Sequence, residues 1–181
     1  VDRANRLWVA TTRGISVFES FQFGQTVPSR EYPLAAYRND GLLLNYEDKG
    51  LWWKTDGTQD PHPRVFAYRP TQNGLAFGLW RKLVVGERSF DLVGDSVDHV
   101  VELPDQSLFV TCGPNSYRVD PARGATTRLT EIGAKTTGVA LVAGELWVAT
   151  NTGELFRGPP TTPYKFEKIA SLPRNSASTL H

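Results

Sequence analysis

Apolar and polar positions alternate along most of this chain in short runs, and turn-forming residues separate the runs. The clearest stretch is residues 96–157. Ser96–Leu103, Ser107–Cys112, Ser116–Val119 and Thr126–Ile132 each carry the β-branched, leucine and aromatic content of a strand. Pro104-Asp105-Gln106, Gly113-Pro114-Asn115 and Asp120–Gly124 fall between them as turns. The order restarts with Thr137–Val142, Glu145–Thr150 and Glu154–Arg157, separated by Ala143-Gly144 and Asn151-Thr152-Gly153. Hairpin after hairpin in one order predicts an antiparallel meander. Laid on residues 34–85, the same order predicts strands at Pro33–Tyr37, Gly41–Tyr46, Gly50–Thr55 and Arg64–Tyr68. It also predicts a long turn over Asp56–Pro63 and a new unit opening at Leu79–Val85. Phe21–Ser29 and Glu87–Gly94 then count as extra sequence. Helical periodicity free of Gly or Pro is absent from any long stretch, so the chain is expected to be all-β.

One pentapeptide recurs inside this pattern. Leu-Trp-Val-Ala-Thr stands at Leu7–Thr11 and again at Leu146–Thr150, each followed by a glycine, Gly14 or Gly153. Looser copies stand at Leu51–Thr55 and Leu108–Cys112, so the first leucines are 44, 57 and 38 residues apart. Such a period, with four strands in each, predicts a β-propeller of about four four-stranded antiparallel blades. Joined end to start, Ser171–His181 and Val1–Thr11 make one whole repeat, at a spacing of 42 residues from Leu146 round to Leu7. The expectation is a single domain over 1–181, its first blade shared between 1–20 and 165–181. It either closes on itself by pairing its terminal strands, which hides the sheet edges, or is a segment of a larger propeller.

Leu172-Pro173, Asn175-Ser176, Asp2, Asn5, Leu7-Trp8-Val9-Ala10-Thr11 and Gly14 together resemble the two-component regulator propeller repeat. Ala10 and Ala149 replace the Gly usual in that family, and the likeness fades at Phe109 and Trp52. The resemblance implies an extracytoplasmic (periplasmic or extracellular) sensor domain whose ring reads a signal passed to a kinase elsewhere.

Composition narrows the function classes. The 181 residues are 40% hydrophobic and 22% charged, with 20 Lys plus Arg against 19 Asp plus Glu. The cations are scattered singly, without the basic stripe that nucleic acid requires, so no nucleic-acid partner is expected. No apolar run is long enough for a membrane span. The chain contains no Met and shows no signal peptide, which reads as a piece of a longer precursor. Its single cysteine, Cys112, lies in a strand-like run and reads as a small buried hydrophobe.

The repeated aromatics Trp8, Phe109 and Trp147 stand mid-strand and read as packing between blades. Trp53 and Trp80 fall outside the repeat position and are candidates for exposed contact. Asp56, Asp60 and His62 belong to a polar cluster whose alternating oxygens lack the downstream Glu of a Ca²⁺ loop. Asp95 and His99 belong to Asp95-Ser96-Val97-Asp98-His99, where strand alternation turns Asp98 away from His99. Trp53, Asp56, Asp60, His62, Trp80, Asp95 and His99 are therefore candidate ligand-binding residues. No catalytic residue, metal site or cofactor is expected, because no metal-ligand spacing, nucleophile elbow or phosphate loop is present. The sequence favours a binding module for a small molecule, a carbohydrate or a partner protein, with self-association into a homo-oligomer left open. A propeller lyase or glycoside-acting enzyme, or an assembly scaffold, is the alternative.

Overall fold

Why this sequence makes sheets is plain from its punctuation: Gly, Pro, Asn and Asp interrupt it before any helix could accumulate turns. The computed structural model describes the backbone of residues 7–11, 14–19, 22–27, 36–38, 41–46, 49–54, 58–129, 132–161 and 164–171. Side chains are described for residues 50, 58, 60–129, 132–161 and 164–171. All the regular structure among them is β. In chain order the strands are β1 Leu7–Thr11, β2 Gly14–Glu19, β3 Gln22–Val27, β4 Ala36–Arg38, β5 Gly41–Tyr46, β6 Lys49–Lys54, β7 Gln59–Pro63, β8 Ala67–Thr71, β9 Gly74–Gly78, β10 Trp80–Val85, β11 Arg88–Glu102, β12 Leu108–Cys112, β13 Asn115–Asp120, β14 Ala125–Leu129, β15 Thr136–Val142, β16 Glu145–Thr150, β17 Glu154–Gly158 and β18 Glu167–Ser171.

Every pairing is between antiparallel, sequence-adjacent strands. The sheets run β1-β2-β3, β4-β5-β6-β7, β8 through β14 in one seven-stranded order, and β15-β16-β17-β18. The chain divides into two compact units, Val1–Val65 and Phe66–His181. The first contains the sheets β1–β3 and β4–β7; the second contains the rest.

The seven-stranded sheet is two four-stranded meanders that share β11. Residues Arg88–Asp91 of β11 pair with β10, while Val97–Glu102 pair with β12. The chain thus leaves one meander as its last strand and enters the next as its first without a loop. Counted this way, the described residues hold five meanders rather than four. Their second strands start at Gly41, Gly74, Leu108 and Glu145, with Leu7 in step ahead of them, so the period is about 33–37 residues.

Several strand expectations change accordingly. The predicted long turn over Asp56–Pro63 contains β7, and Arg64–Tyr68 is not the fourth strand of its unit. Pro61 and Pro63 can sit in β7 because it is an edge strand, where a missing N–H disrupts no ladder. Ala67–Thr71 opens the next meander, Leu79–Val85 is its third strand rather than its first, and Glu87–Gly94 is largely the first half of β11. Phe21–Ser29 contains β3. Leu51-Trp52-Trp53 lies on β6, a third strand, so it is not a copy of the Leu-Trp pentapeptide in register. The positions in register are Gly41–Tyr46 and, in the next meander, Gly74–Gly78. A Cβ on Gly78 would lie within 3 Å of Val97 and Ala67, so the close crossing of β11 dictates glycine there and removes the recognisable sequence. Of residues 165–181, expected to share the first blade with 1–20, Glu167–Ser171 form β18 and pair with β17; 172–181 lie outside the described residues.

The second unit buries two apolar clusters. One gathers Ala76, Leu83, Val85, Phe90, Val97, Leu108, Val110, Cys112 and Tyr117. The other gathers Val101, Phe109, Leu129, Leu146, Val148 and Tyr164, with Phe156 and Phe166 against it. β12 separates them: Leu108, Val110 and Cys112 face the first cluster and Phe109 the second, and all five of its residues are buried. A strand covered on both faces is what the unbroken Leu-Phe-Val-Thr-Cys run requires.

Candidate functional site

At the crossing of β11 from one meander to the next, Arg81, Gly94 and Gly113 all take positive φ. Two other segments, Leu79–Arg81 and Cys112–Gly113, converge on Gly94–Val97. The Val97 amide donates to the Leu79 carbonyl at 3.1 Å, and the Gly113 amide donates to the Ser96 carbonyl at 3.2 Å. The Cys112 thiol lies 3.5 Å from the Asp95 carbonyl. Gly94 has φ 146°, and a Cβ on it would run into the Cys112 carbonyl. Opposite it, Arg81 takes φ 55°, a left-handed conformation uncommon for a side chain of its size. Its Nε donates to the Gly94 carbonyl at 2.7 Å and holds it there.

Polar side chains brace the exposed part of this crossing. The Tyr117 hydroxyl donates to the Val93 carbonyl at 2.6 Å and accepts from the Val93 amide at 3.0 Å. Asn115 Nδ2 donates to the same carbonyl at 2.8 Å, and Arg128 in turn donates to Asn115 Oδ1. The braced segment presents apolar surface to solvent: Val93 is 67% exposed and Trp80 is 60% exposed. The Trp80 ring tilts against Phe66, with centroids 6.2 Å apart. Asp95, on the same stretch of β11, is exposed. A rigid frame holding an aromatic ring, a guanidinium and a carboxylate at the surface is suited to recognition.

Inward along β11 the chemistry becomes buried. A bulge separates Val97, paired with Cys112, from His99, paired with Thr111, and Asp98 occupies it. The Ser96 hydroxyl donates to Asp98 Oδ1 at 2.6 Å, and Lys135 Nζ stands 4.0 Å away. Burial lowers the His99 pKa from its ordinary value, with the Lys135 charge acting the same way. The Asp98 carboxylate and a hydrogen bond to the Thr136 main chain oppose the lowering. Burial and the nearby Asp98 and Asp95 carboxylates push the Cys112 thiol up to about 11, so it is protonated and inert at neutral pH. That agrees with the reading of Cys112 as a buried hydrophobe.

The structure gathers three of the candidate residues in the second unit; the others belong to the first unit. Trp80 is the register partner of Ser96, next to Asp95, and His99 follows on the same strand. Asp60 and His62 lie on β7 in the first unit, where His62 Nδ1 is 2.8 Å from the Pro63 carbonyl. Trp53 lies on β6, but its side chain, and the whole of Asp56, fall outside the described residues. Sequence reasoning did not single out Arg81, Asn115 or Tyr117. Nothing in a Trp-Arg-Lys or Asn-Ser-Tyr run signals a bulge that arises only when β10, β11 and β13 meet. No group of three or more His, Cys, Asp and Glu with metal-binding potential occurs among the described residues. Among the described residues there is no helix long and apolar enough to cross a membrane.

No family model matches this chain, and no curated protein matches it. Solved structures do. The extracellular domain of BT4673, assigned to a one component system of B. thetaiotaomicron, matches with a TM-score of 0.69 at 15% identity, over 98% of this chain and 28% of its own. The extracellular domain of BT3049, assigned to a hybrid two component system of the same organism, matches with a TM-score of 0.61 at 11% identity, over 95% of this chain and 29% of its own. The computationally designed Ika8 protein matches with a TM-score of 0.72 at 12% identity, over all of this chain and 63% of its own. These likenesses establish a shared all-β fold. The chain spans less than a third of each extracellular domain.

Proposed function

We propose that this chain is part of an extracytoplasmic sensing domain of a regulator, built from β-propeller blades, that binds a small molecule, a carbohydrate or a partner protein without transforming it. The observation that carries this reading is the fold match, over nearly the whole chain, to extracellular domains of two signalling systems. The propeller is supported by β11, which ends one meander and begins the next, and which packs against both β8 and β15, the first strands of the flanking meanders. First strands lined up side by side are what a ring of blades places around its axis. The recognition surface in this reading is the braced segment carrying Trp80, Arg81, Val93 and Asp95.

The test is a thermal-shift screen of the purified chain against oligosaccharides, other small polar molecules and candidate partner domains. A binder should raise the Tm of the native chain, and Trp80→Ala should abolish the shift while leaving the unliganded Tm nearly unchanged, because Trp80 is mostly exposed. A broad screen with no shift counts against the sensing role. A shift that survives Trp80→Ala moves the binding surface elsewhere.

A further inference from the structure

A line of polar residues crosses the seam between two sheets of the second unit. His99, Thr111 and Ser116 stand side by side as cross-strand partners on β11, β12 and β13. Alternation puts them on the face of Val101 and Phe109, next to the apolar cluster those two residues join. In the neighbouring sheet Thr136 and Thr150 are partners on β15 and β16. Thr150 shares a face with Val148 and Leu146 of the same cluster. His99 ties the two rows together through its hydrogen bond to the Thr136 main chain. Polar groups therefore cap one end of an otherwise apolar contact between sheets.

The hydroxyls in this line are deeply buried. Thr111 is 0% exposed, Ser116 1% and Thr136 2%. None of the three has a hydrogen-bond partner among the described residues, and the same holds for Asp98 Oδ2 and Thr137 Oγ1 in the two adjacent bulges. The Thr150 hydroxyl differs, since it accepts from the Glu154 amide at 3.1 Å. A buried hydroxyl left unpaired is costly, and several together would consume a large share of a domain's marginal stability. Folded proteins meet such clusters with ordered water, which needs two to four polar partners within reach.

We propose that the Ser116–Thr111–His99–Thr136 line is a water-binding site, in which ordered water bridges the hydroxyls of the two sheets across their seam. The site is distinct from the exposed segment around Trp80 and owes nothing to a ligand there. Thr111→Val, Ser116→Ala and Thr136→Val each remove a hydroxyl while nearly preserving shape. With water bridging the line, each should lower Tm by about 2–4 °C. The triple variant should lower it by less than the three shifts combined, because the variants lose shared waters. In a dry line the same changes delete an unpaired polar group, so an unchanged or higher Tm overturns the proposal. A crystal structure of the unmutated chain at better than about 1.5 Å gives a second readout that does not depend on any variant folding. Water within hydrogen-bond distance of at least two of the hydroxyls supports the site; hydroxyls bonded only to protein groups overturn it.

Discussion

The hairpins β11–β12 and β15–β16 begin their meanders with the same backbone device and different chemistry. In each, the first strand carries a bulge soon after it starts: Asp98 lies between Val97 and His99, and Thr137 lies between Thr136 and Gly138. The partner strands end in Cys112 and Thr150 at matching positions. One copy thus holds an acid, an imidazole and a thiol where the other holds threonines and a glycine. The connecting turns differ as well. Ala143-Gly144, with φ 50° and 81°, turns tightly in the manner of a type I′ hairpin. The wider turn at Asp105 is fastened by Ser107 and by an ion pair to Arg118. Burial raises the Asp105 pKa, but those bonds outweigh it and hold it below its usual value. The backbone of the repeat is fixed by pairing and packing, and its side chains are free to vary at the bulge.

The largest expected effect separates the two hairpins by burial. Phe109 is 0% exposed between the sheets, with its ring 6.0 Å from Phe166. Trp147, at the matching position, is half-buried, with the Arg157 guanidinium 5.8 Å from its ring centroid. Phe109→Ala should cost about 3–5 kcal/mol. Trp147→Ala should cost roughly 2 kcal/mol, since only part of its area leaves water on folding. Urea denaturation of both variants measures the gap, and equal losses would erase the distinction.

Glycine separates them next. Gly94→Ala meets the Cys112 backbone in a conformation alanine avoids and should cost about 3 kcal/mol. Gly144→Ala meets nothing within 4 Å and carries only the left-handed penalty, about 1 kcal/mol. The same denaturation experiment decides it.

Acid should act on the first hairpin alone. The folded protein resists protonating His99, so the unfolded chain binds more protons around and below the ordinary histidine value of 6.5. Stability is therefore full above that value and falls as pH drops through the lowered pKa, by at most about 1.4 kcal/mol per pH unit. Melting curves from pH 7.5 to 5 should show this slope, and His99→Gln should flatten it; an unchanged slope assigns it to other groups. The smallest effect is kinetic. Cys112 should react with a thiol reagent at neutral pH no faster than the protein opens, because the thiol is both buried and held protonated. Prompt labelling of the native chain would break that assignment.

Legibility followed the same division. The Ser107–Cys112, Glu145–Thr150 and Glu154–Arg157 strands were readable because alternation and turn residues agree there. The meander β8–β11 was not, since Ala76 and Gly78 replace the larger residues of the repeat where β11 crosses closely. Of the candidate site, Trp80, Asp95 and His99 could be named from the chain. Their gathering depends on a bulge whose cause, the approach of Cys112 to Gly94, joins residues distant in sequence.

What the sequence determined alone is local. Turn residues cut the chain into short strands, sequence-adjacent strands pair as hairpins, and the Leu-Trp-Val-Ala-Thr copies mark the strands β1 and β16. Tertiary structure decided the rest. It set the number of meanders, made one strand serve two of them, and placed a left-handed arginine beside an exposed tryptophan. It also buried a line of hydroxyls across a seam. These outcomes depend on which backbones touch, and contact between distant segments leaves no period for a single sequence to show.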